Sequence, residues 1–243
     1  MRYLIFSDLH SNLESLQTFA QISKTIDHDK KVFLGDLVGY GADPNACVDW
    51  VREKADIILG GNHDYAVLGK TELTTFNPYA YQACLWTRQE LTRENKDFLR
   101  GLPCEIVEDD IHWVHSSPYE PEQWYYVVSR ADGKINFGHF STKVCFLGHS
   151  HRPVIIEQRQ DGTITDCVSP TTWKLKTDCR YIINVGSLGQ PRDGNPKPSF
   201  VIYDSNAGTI EYNRYEYDFA TTQRKILDNG LPSFLADRLS VGM

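Results

Sequence analysis

The chain has 243 residues, 41% hydrophobic and 23% charged, with a formal net charge of −7. That is the make-up of an ordinary soluble globular protein, long enough to bury a sizeable core. No apolar run approaches the roughly 18 residues that cross a membrane, and the acidic balance disfavours a general nucleic-acid binder, whose binding face is basic.

The first residues read as a strand, with no basic region followed by an apolar stretch. No secretory signal is expected, and the cytoplasm is the default location. Tyr3-Leu4-Ile5-Phe6 leads to Asp8 and His10. Ser11 is a candidate N-cap for a helix carrying Leu13, Leu16, Phe19, Ala20 and Ile22 at helical spacing, with Glu14 completing a capping box. Val32-Phe33-Leu34 leads to Gly35-Asp36, then to a glycine-rich loop and Asp43-Pro44, which resembles the cap and first position of a helix over 46–53. Ile57-Ile58-Leu59 leads to Gly61-Asn62-His63-Asp64. Residues 78–99 are the longest helical stretch, broken once, with Tyr81, Leu85 and Trp86 as its apolar face.

From about residue 104 the pattern becomes one of strands. Segments 104–107 and 111–115 flank a turn at Asp109-Asp110, and the second ends at His115. A helical insert is expected over 129–140, before the strand Val144 to Leu147 delivers Gly148-His149-Ser150-His151. Segments 154–159 and 163–168 join around Asp161-Gly162, and 181–185 is a further strand. Segments 200–204 and 209–217 form a hairpin across Asn206-Ala207-Gly208, and 219–239 is a helical tail restarted at Pro232. None of the six cysteines forms a C-x-x-C pair, so they read as reduced packing residues. No repeat or linker is visible.

Five apolar runs thus end in carboxylate, amide or imidazole groups. Were they parallel or mixed strands of one sheet, these groups would gather along one edge, where open α/β sheets place their ligands. The early strand-helix alternation and the later strand meander fit two sheets packed face to face and covered by helices. The candidate ligands span residues 8 to 151, so cutting the chain there would split the site. One domain over 1–243 is the expectation. Oxygen and nitrogen ligands without cysteine suit divalent metals that act on oxygen substrates.

The blocks Asp8-Leu9-His10, Gly35-Asp36, Gly61-Asn62-His63-Asp64, His115 and Gly148-His149-Ser150-His151 occur in this order. The arrangement resembles the calcineurin-like metallophosphoesterase superfamily over the first two-thirds of the chain. The run Asn184 to Asp193 resembles a loop of its compact prokaryotic branch. The resemblance implies an α/β/β/α sandwich of two mixed sheets flanked by helices. It also implies two metals, one on Asp8, His10 and His151, the other on Asn62, His115 and His149, with Asp36 bridging. A bridging carboxylate holds such ions about 3.5–4 Å apart, where both grip one phosphoryl group.

On the same resemblance, hydroxide between the metals attacks a phosphoester directly, Asn62 also contacts substrate, and His63 protonates the leaving group. Asp64 would orient that imidazole, and Arg192 would hold a substrate phosphate. The metal could be manganese, iron, zinc, nickel or cobalt. The implied partner is a small-molecule phosphoester, monoester or diester, and an oligomer is compatible with the sequence.

Two positions depart from the pattern. Gly39-Tyr40 replaces the Asp-Arg pair of the Ser/Thr protein phosphatases, which points away from that branch. Ser116 stands where glycine is usual, and only a local adjustment is expected. A scaffold that has lost catalysis is the competing reading, opposed by retention of His63 and all seven ligands. A dinuclear nuclease is the other, opposed by the acidic balance. Gly138-His139 reads as structural, and His28 and His112 as exposed or interfacial. Trp113, Trp124, Tyr125 and Tyr126 read as packing residues rather than a nucleoside platform.

Overall fold

Alternation along each strand sorts side chains onto two faces, and two sheets use both faces. The computed structural model describes residues 1–168 and 170–243. In chain order the strands are β1 (Arg2–Phe6), β2 (Lys30–Phe33), β3 (Ile57–Ile58), β4 (Glu105–Glu108), β5 (Ile111–Val114) and β6 (Val144–Leu147). They continue with β7 (Val154–Arg159), β8 (Ile164–Val168), β9 (Thr172–Lys174), β10 (Cys179–Asn184), β11 (Ser199–Asp204) and β12 (Thr209–Arg214). One sheet has the order β3-β2-β1-β11-β12-β9, the other β4-β5-β6-β10-β7-β8. The strands β1, β2 and β3 run parallel in the first sheet, as do β5, β6 and β10 in the second.

Tyr3 and Ile5 face inward with Val32, Trp113, Phe146, Tyr181 and Val201, forming the layer between the sheets. Their neighbours Leu4 and Phe6 face outward onto the helices α1 (Leu13–Ser23) and α2 (Pro44–Lys54). After α3 (Asn62–Val67) come α4 (Pro78–Glu90) and α5 (Arg93–Arg100), separated by the expected break. The helix α6 (Arg130–Asn136) begins the covering layer of the second sheet, where Phe137 packs with Cys145 and Ile182. The tail forms α7 (Phe219–Asp228) and α8 (Ser233–Asp237), with Pro232 capping the latter. The architecture is the expected sandwich of two mixed sheets flanked by helices. The ligand-bearing runs, however, belong to both sheets rather than to one.

Three local expectations change. The helix α1 is capped by Asn12, whose side-chain oxygen accepts from the Ser15 amide at 3.1 Å, not by Ser11. Ser11 takes φ 55° in the turn that presents His10, so Asn12 is the first residue free to cap. Glu14 does not close a capping box; it accepts from Thr222 and Lys225 of α7. The buried face of α4 is Ala80, Ala83, Cys84 and Thr87, while Tyr81 is exposed. Small residues let this helix pack closely against Tyr40 and the tail. His112 is buried rather than exposed and bonds Glu105 at 2.8 Å. Among the described residues all six cysteines are free, and no helix is long and apolar enough to cross a membrane.

Candidate metal centre

Parallel strands with a common direction bring their C-terminal ends together, and the five blocks leave the sheets there. Asp8 and His10 follow β1, Asp36 follows β2, and Asn62 opens α3 after β3. His115 follows β5, and His149 and His151 follow β6. All seven are buried.

Two donor groups result. Asp8, His10, Asp36 and His151 form one, and Asp36, His115 and His149 the other; within each, the donor atoms lie within 4.8 Å of one another. Asp36 belongs to both. Its Oδ2 is 3.6 Å from His10 Nε2 and 3.5 Å from His115 Nε2. Asn62 Oδ1 lies 3.3 Å from His115 Nε2, which puts the amide oxygen with the second group. Asp8, His10 and His151 thus lie together on one side of Asp36, and Asn62, His115 and His149 on the other.

The other nitrogen of each ring is occupied by a backbone carbonyl. His10 Nδ1 bonds Val38 O at 3.1 Å, His115 Nδ1 bonds Leu34 O at 2.8 Å, and His151 Nδ1 bonds Gln190 O at 2.5 Å. A ring N–H donating to a carbonyl leaves the opposite nitrogen with its lone pair free. That directs Nε2 of all three inward. His149 is reversed: Nε2 meets Trp124 O at 2.8 Å, so Nδ1 is the free donor. Four imidazoles, two carboxylates and an amide oxygen fit hard or borderline divalent cations.

The backbone is strained where these candidate ligands leave it. Asp8, His10, Asp36, His149 and His151 have φ between 51° and 62°, a region costly for residues with a side chain. Glycines make the close approach between blocks. A Cβ on Gly61 would collide with Asp36 Oδ1, and one on Gly148 with Asp8 Oδ2 and Ser7 Oγ.

The charges are strongly coupled. Burial works against ionised Asp36, yet the imidazoles of His115 and His63 hold its carboxylate well below the usual range. Burial also opposes a charged His115, but Asp36 lifts that ring to about 9. Burial pushes His149 down to about 3 and His63 down to about 4. Binding a cation among such groups displaces protons, as metal sites generally do.

His63 lies outside both donor groups. Its ring centroid is 4.8 Å from that of His10 and 4.4 Å from that of Tyr40. It lines a cavity of about 390 Å³ with Asn62, His149, Phe76, Trp124 and Tyr126. Asp64 does not orient it by a hydrogen bond. The Asp64 carboxylate instead accepts from the amides of Leu37, Val38 and Gly61 at 2.9–3.2 Å. It pins the Asp36 loop to the Gly61 turn, and burial followed by Asp36 raises its own pKa to about 7. The neighbour of His63 Nδ1 is Cys84 Sγ, at 3.6 Å.

Arg192 is not among the donors; its Nη2 is 3.0 Å from Gln190 Oε1 and 3.3 Å from the Tyr40 hydroxyl. The aromatic group of the sequence separates. Trp113 is fully buried between the sheets, while Tyr126 stacks on His149 at 4.3 Å and is 55% exposed. Ser116 donates to Pro121 O at 2.9 Å, the local adjustment expected there. Cys84 carries no local signal of proximity to the site, because it arrives from the separate helix α4.

A sandwich whose two sheets jointly present an Asp-centred pair of donor groups is of the metallophosphoesterase type, and the chain belongs to the calcineurin-like phosphoesterase superfamily. Residues 1–208 match the model of the calcineurin-like phosphoesterase superfamily domain. An uncharacterized protein of Methanocaldococcus jannaschii, MJ0912, is 40% identical over 98% of this chain and 97% of its own. A metallophosphoesterase from Sphaerobacter thermophilus is 37% identical, with a TM-score of 0.87 over 100% of this chain and 99% of that one. The hypothetical protein PH1004 from Pyrococcus horikoshii shares the fold, with a TM-score of 0.78 at 14% identity over 100% of this chain and 98% of that one. The family supports a phosphoester hydrolase, and the buried His and Asp groups could hold metal.

Proposed function

We propose that the chain hydrolyses small phosphoesters with two divalent transition-metal ions. Asp8, His10 and His151 would hold one ion, Asn62, His115 and His149 the other, and Asp36 would serve both. The observation that carries this reading is the shared Asp36, flanked by imidazoles whose outer nitrogens are all taken by carbonyls. Manganese, iron, zinc, nickel and cobalt all suit these donors. Bound cations supply Lewis acidity toward phosphoryl oxygens and lower the pKa of water.

The chain's own groups do the rest. Asn62 faces the cavity and contacts the phosphoryl group. His63 stands beside the leaving oxygen and gives it a proton, and dianionic substrate offsets the burial that disfavours its charged form. Asp64 positions the Asp36 and Gly61 turns through their amides, and Arg192 holds substrate anion. Retention of every ligand and of His63 supports an enzyme over a scaffold, and the acidic balance supports a small-molecule substrate over nucleic acid. We read the chain as one cytoplasmic domain, able to act as a monomer or an oligomer.

The test is hydrolysis of monoesters, diesters, cyclic nucleotides and dinucleoside polyphosphates across a metal series, with H63A beside the wild type. Metal-dependent turnover is expected. H63A should lose about 10²–10⁴ in rate on alkyl esters, the range for a positioned acid, and less on aryl esters, whose leaving groups need little protonation. Equal losses remove the proton-donor role. No turnover of any ester with any metal sinks the whole reading.

A further inference from the structure

Arginines that are half-buried in this fold normally find acceptors. Arg88 donates to two backbone carbonyls, Val67 O and Ala66 O, both at 2.8 Å. Arg180 donates to the carbonyls of Thr142, Phe137 and Phe140. Arg192 and Arg238 differ. Only Nη2 of Arg192 is bonded, and its buried Nε has no partner among the described residues. Among the described residues Arg238 bonds only through Nε, to an oxygen of Met243, the last residue of the sequence, and neither arginine pairs with a carboxylate side chain.

Both guanidinium groups lean on one ring. Their Cζ atoms are 5.6 Å and 5.9 Å from the centroid of Tyr40. That ring is in turn 4.6 Å from His10 and 4.4 Å from His63, centroid to centroid, and it walls the cavity. The two guanidinium groups therefore lie one aromatic ring away from His10 and His63. Arg238 reaches this place through the tail, where Leu235 and Leu239 pack with Tyr40, Ala80 and Ala83.

We propose that Arg192 and Arg238 form a subsite for a second phosphate of the substrate, next to the phosphoryl group handled by the metal centre. The proposal rests on the phosphoester reading above and narrows its substrate to molecules with two phosphoryl groups, as bisphosphates or phosphoanhydrides. A planar guanidinium fork matches two phosphate oxygens at once, and Tyr40 sets two forks beside one another. Two like charges near each other are costly when partly withdrawn from water. Arg238 shows that cost, since burial and then the charge of Arg192 lower it to about 10. A phosphate between them supplies a countercharge shared by both. The cavity walled by Tyr40 is also lined by Thr71, Glu72, Asn77 and Glu122, which favour uncharged or cationic groups of a substrate there.

The test compares wild type, R192Q and R238Q as metal-loaded full chains. Calorimetry reads the affinity for methylenediphosphonate, which carries two phosphonates, against methylphosphonate, which carries one. The wild type should prefer the diphosphonate, and each variant should lose about tenfold of that preference, equivalent to about 1.4 kcal/mol. In turnover, R238Q should lower kcat/KM for a bisphosphate about tenfold more than for bis(p-nitrophenyl) phosphate. Should R238Q fail to fold, R238K keeps the charge, removes the fork and is expected to fall in between. An unchanged diphosphonate preference in the variants, or equal losses on both substrates, overturns the subsite. A wild type that turns over no ester overturns the phosphoester reading instead, and the affinity ratio still judges the arginines.

Discussion

Left-handed backbone occurs at both ends of this sandwich, and the two ends tolerate it for different reasons. At the start of β5, Asp109 and Asp110 take φ 57° and 59° in the two-residue turn of a hairpin. Aspartate adopts that conformation more readily than most residues, and primed hairpin turns call for it. The turn is exposed, and Asp109 adds contacts to Tyr3 at 3.0 Å and Lys30 at 3.2 Å. Local chemistry is enough there.

At the ligand end the same φ values fall on histidines as well as aspartates, in buried positions. They are held by hydrogen bonds between remote segments. Asp8 N donates to Gly35 O at 2.9 Å, His10 N to Asp36 O at 3.1 Å, and Gly189 N to Asp8 O at 2.9 Å. Arg192 N donates to His151 O at 3.2 Å. The strain at this end is over-determined by tertiary structure, as backbone strain at functional sites generally is. Hairpin strain is cheap and local, and ligand strain is maintained by the whole fold.

Asp36→Ala should show the largest effect. It removes the carboxylate common to both donor groups, so turnover should fall more than about 10³-fold, beyond the 10²–10³ typical of one transition-state donor. Elemental analysis of the purified variant should find both metals depleted. A full complement of two metals in this variant would falsify the shared role. Gly61→Ala comes next. The added methyl meets Asp36 Oδ1 and the Asp36 amide, and overpacking of this kind costs about 1–3 kcal/mol. Denaturant unfolding should show that loss together with weakened metal retention. A neutral result would mean that the two turns are looser than their contacts imply.

Asp110→Ala should be the mildest change. Left-handed backbone costs roughly 1–2 kcal/mol in a residue without aspartate's local compensation, so stability should drop by about 1 kcal/mol. Metal content and turnover should match the wild type, since the turn lies at the opposite end of β5 from His115. A fall in metal content here would show that the two ends are coupled after all.

Much of the fold could be read locally. The hairpins at Asp109-Asp110, Asp161-Gly162 and Asn206 to Gly208 and the tail restart at Pro232 all follow from turn and cap chemistry within a few residues; that the stretch 78–99 breaks once was expected, but only the structure put the break near residue 91. The short strand β9 has no such signal; it exists because β12 needs a neighbour. Helix faces were harder. Tyr81 and Leu85 carry the apolar pattern on α4, but the buried stripe is Ala80, Ala83 and Cys84, because close packing against Tyr40 selects for size rather than hydrophobicity.

The site divides along the same line. Its candidate ligands were legible because they follow apolar runs in an order that resembles a known superfamily, and order is a property of the chain. Asp64 was expected on the His63 ring, yet its carboxylate is spent on three amides of two turns. Amide directions depend on φ and ψ, which residue types do not display. Arg238 gave no sign at all, since it meets Tyr40 only through the packing of the tail.

By itself the sequence determined the order of the carboxylate, amide and imidazole groups at the ends of the apolar runs, and the strands and turns that carry them, since caps, periodicity and turn residues act over a few positions. Tertiary structure alone decided that these groups come from two sheets, which nitrogen of each imidazole a backbone carbonyl takes, and which arginines stand beside Tyr40. Those outcomes depend on contacts between segments tens to hundreds of residues apart, whose geometry no local pattern encodes.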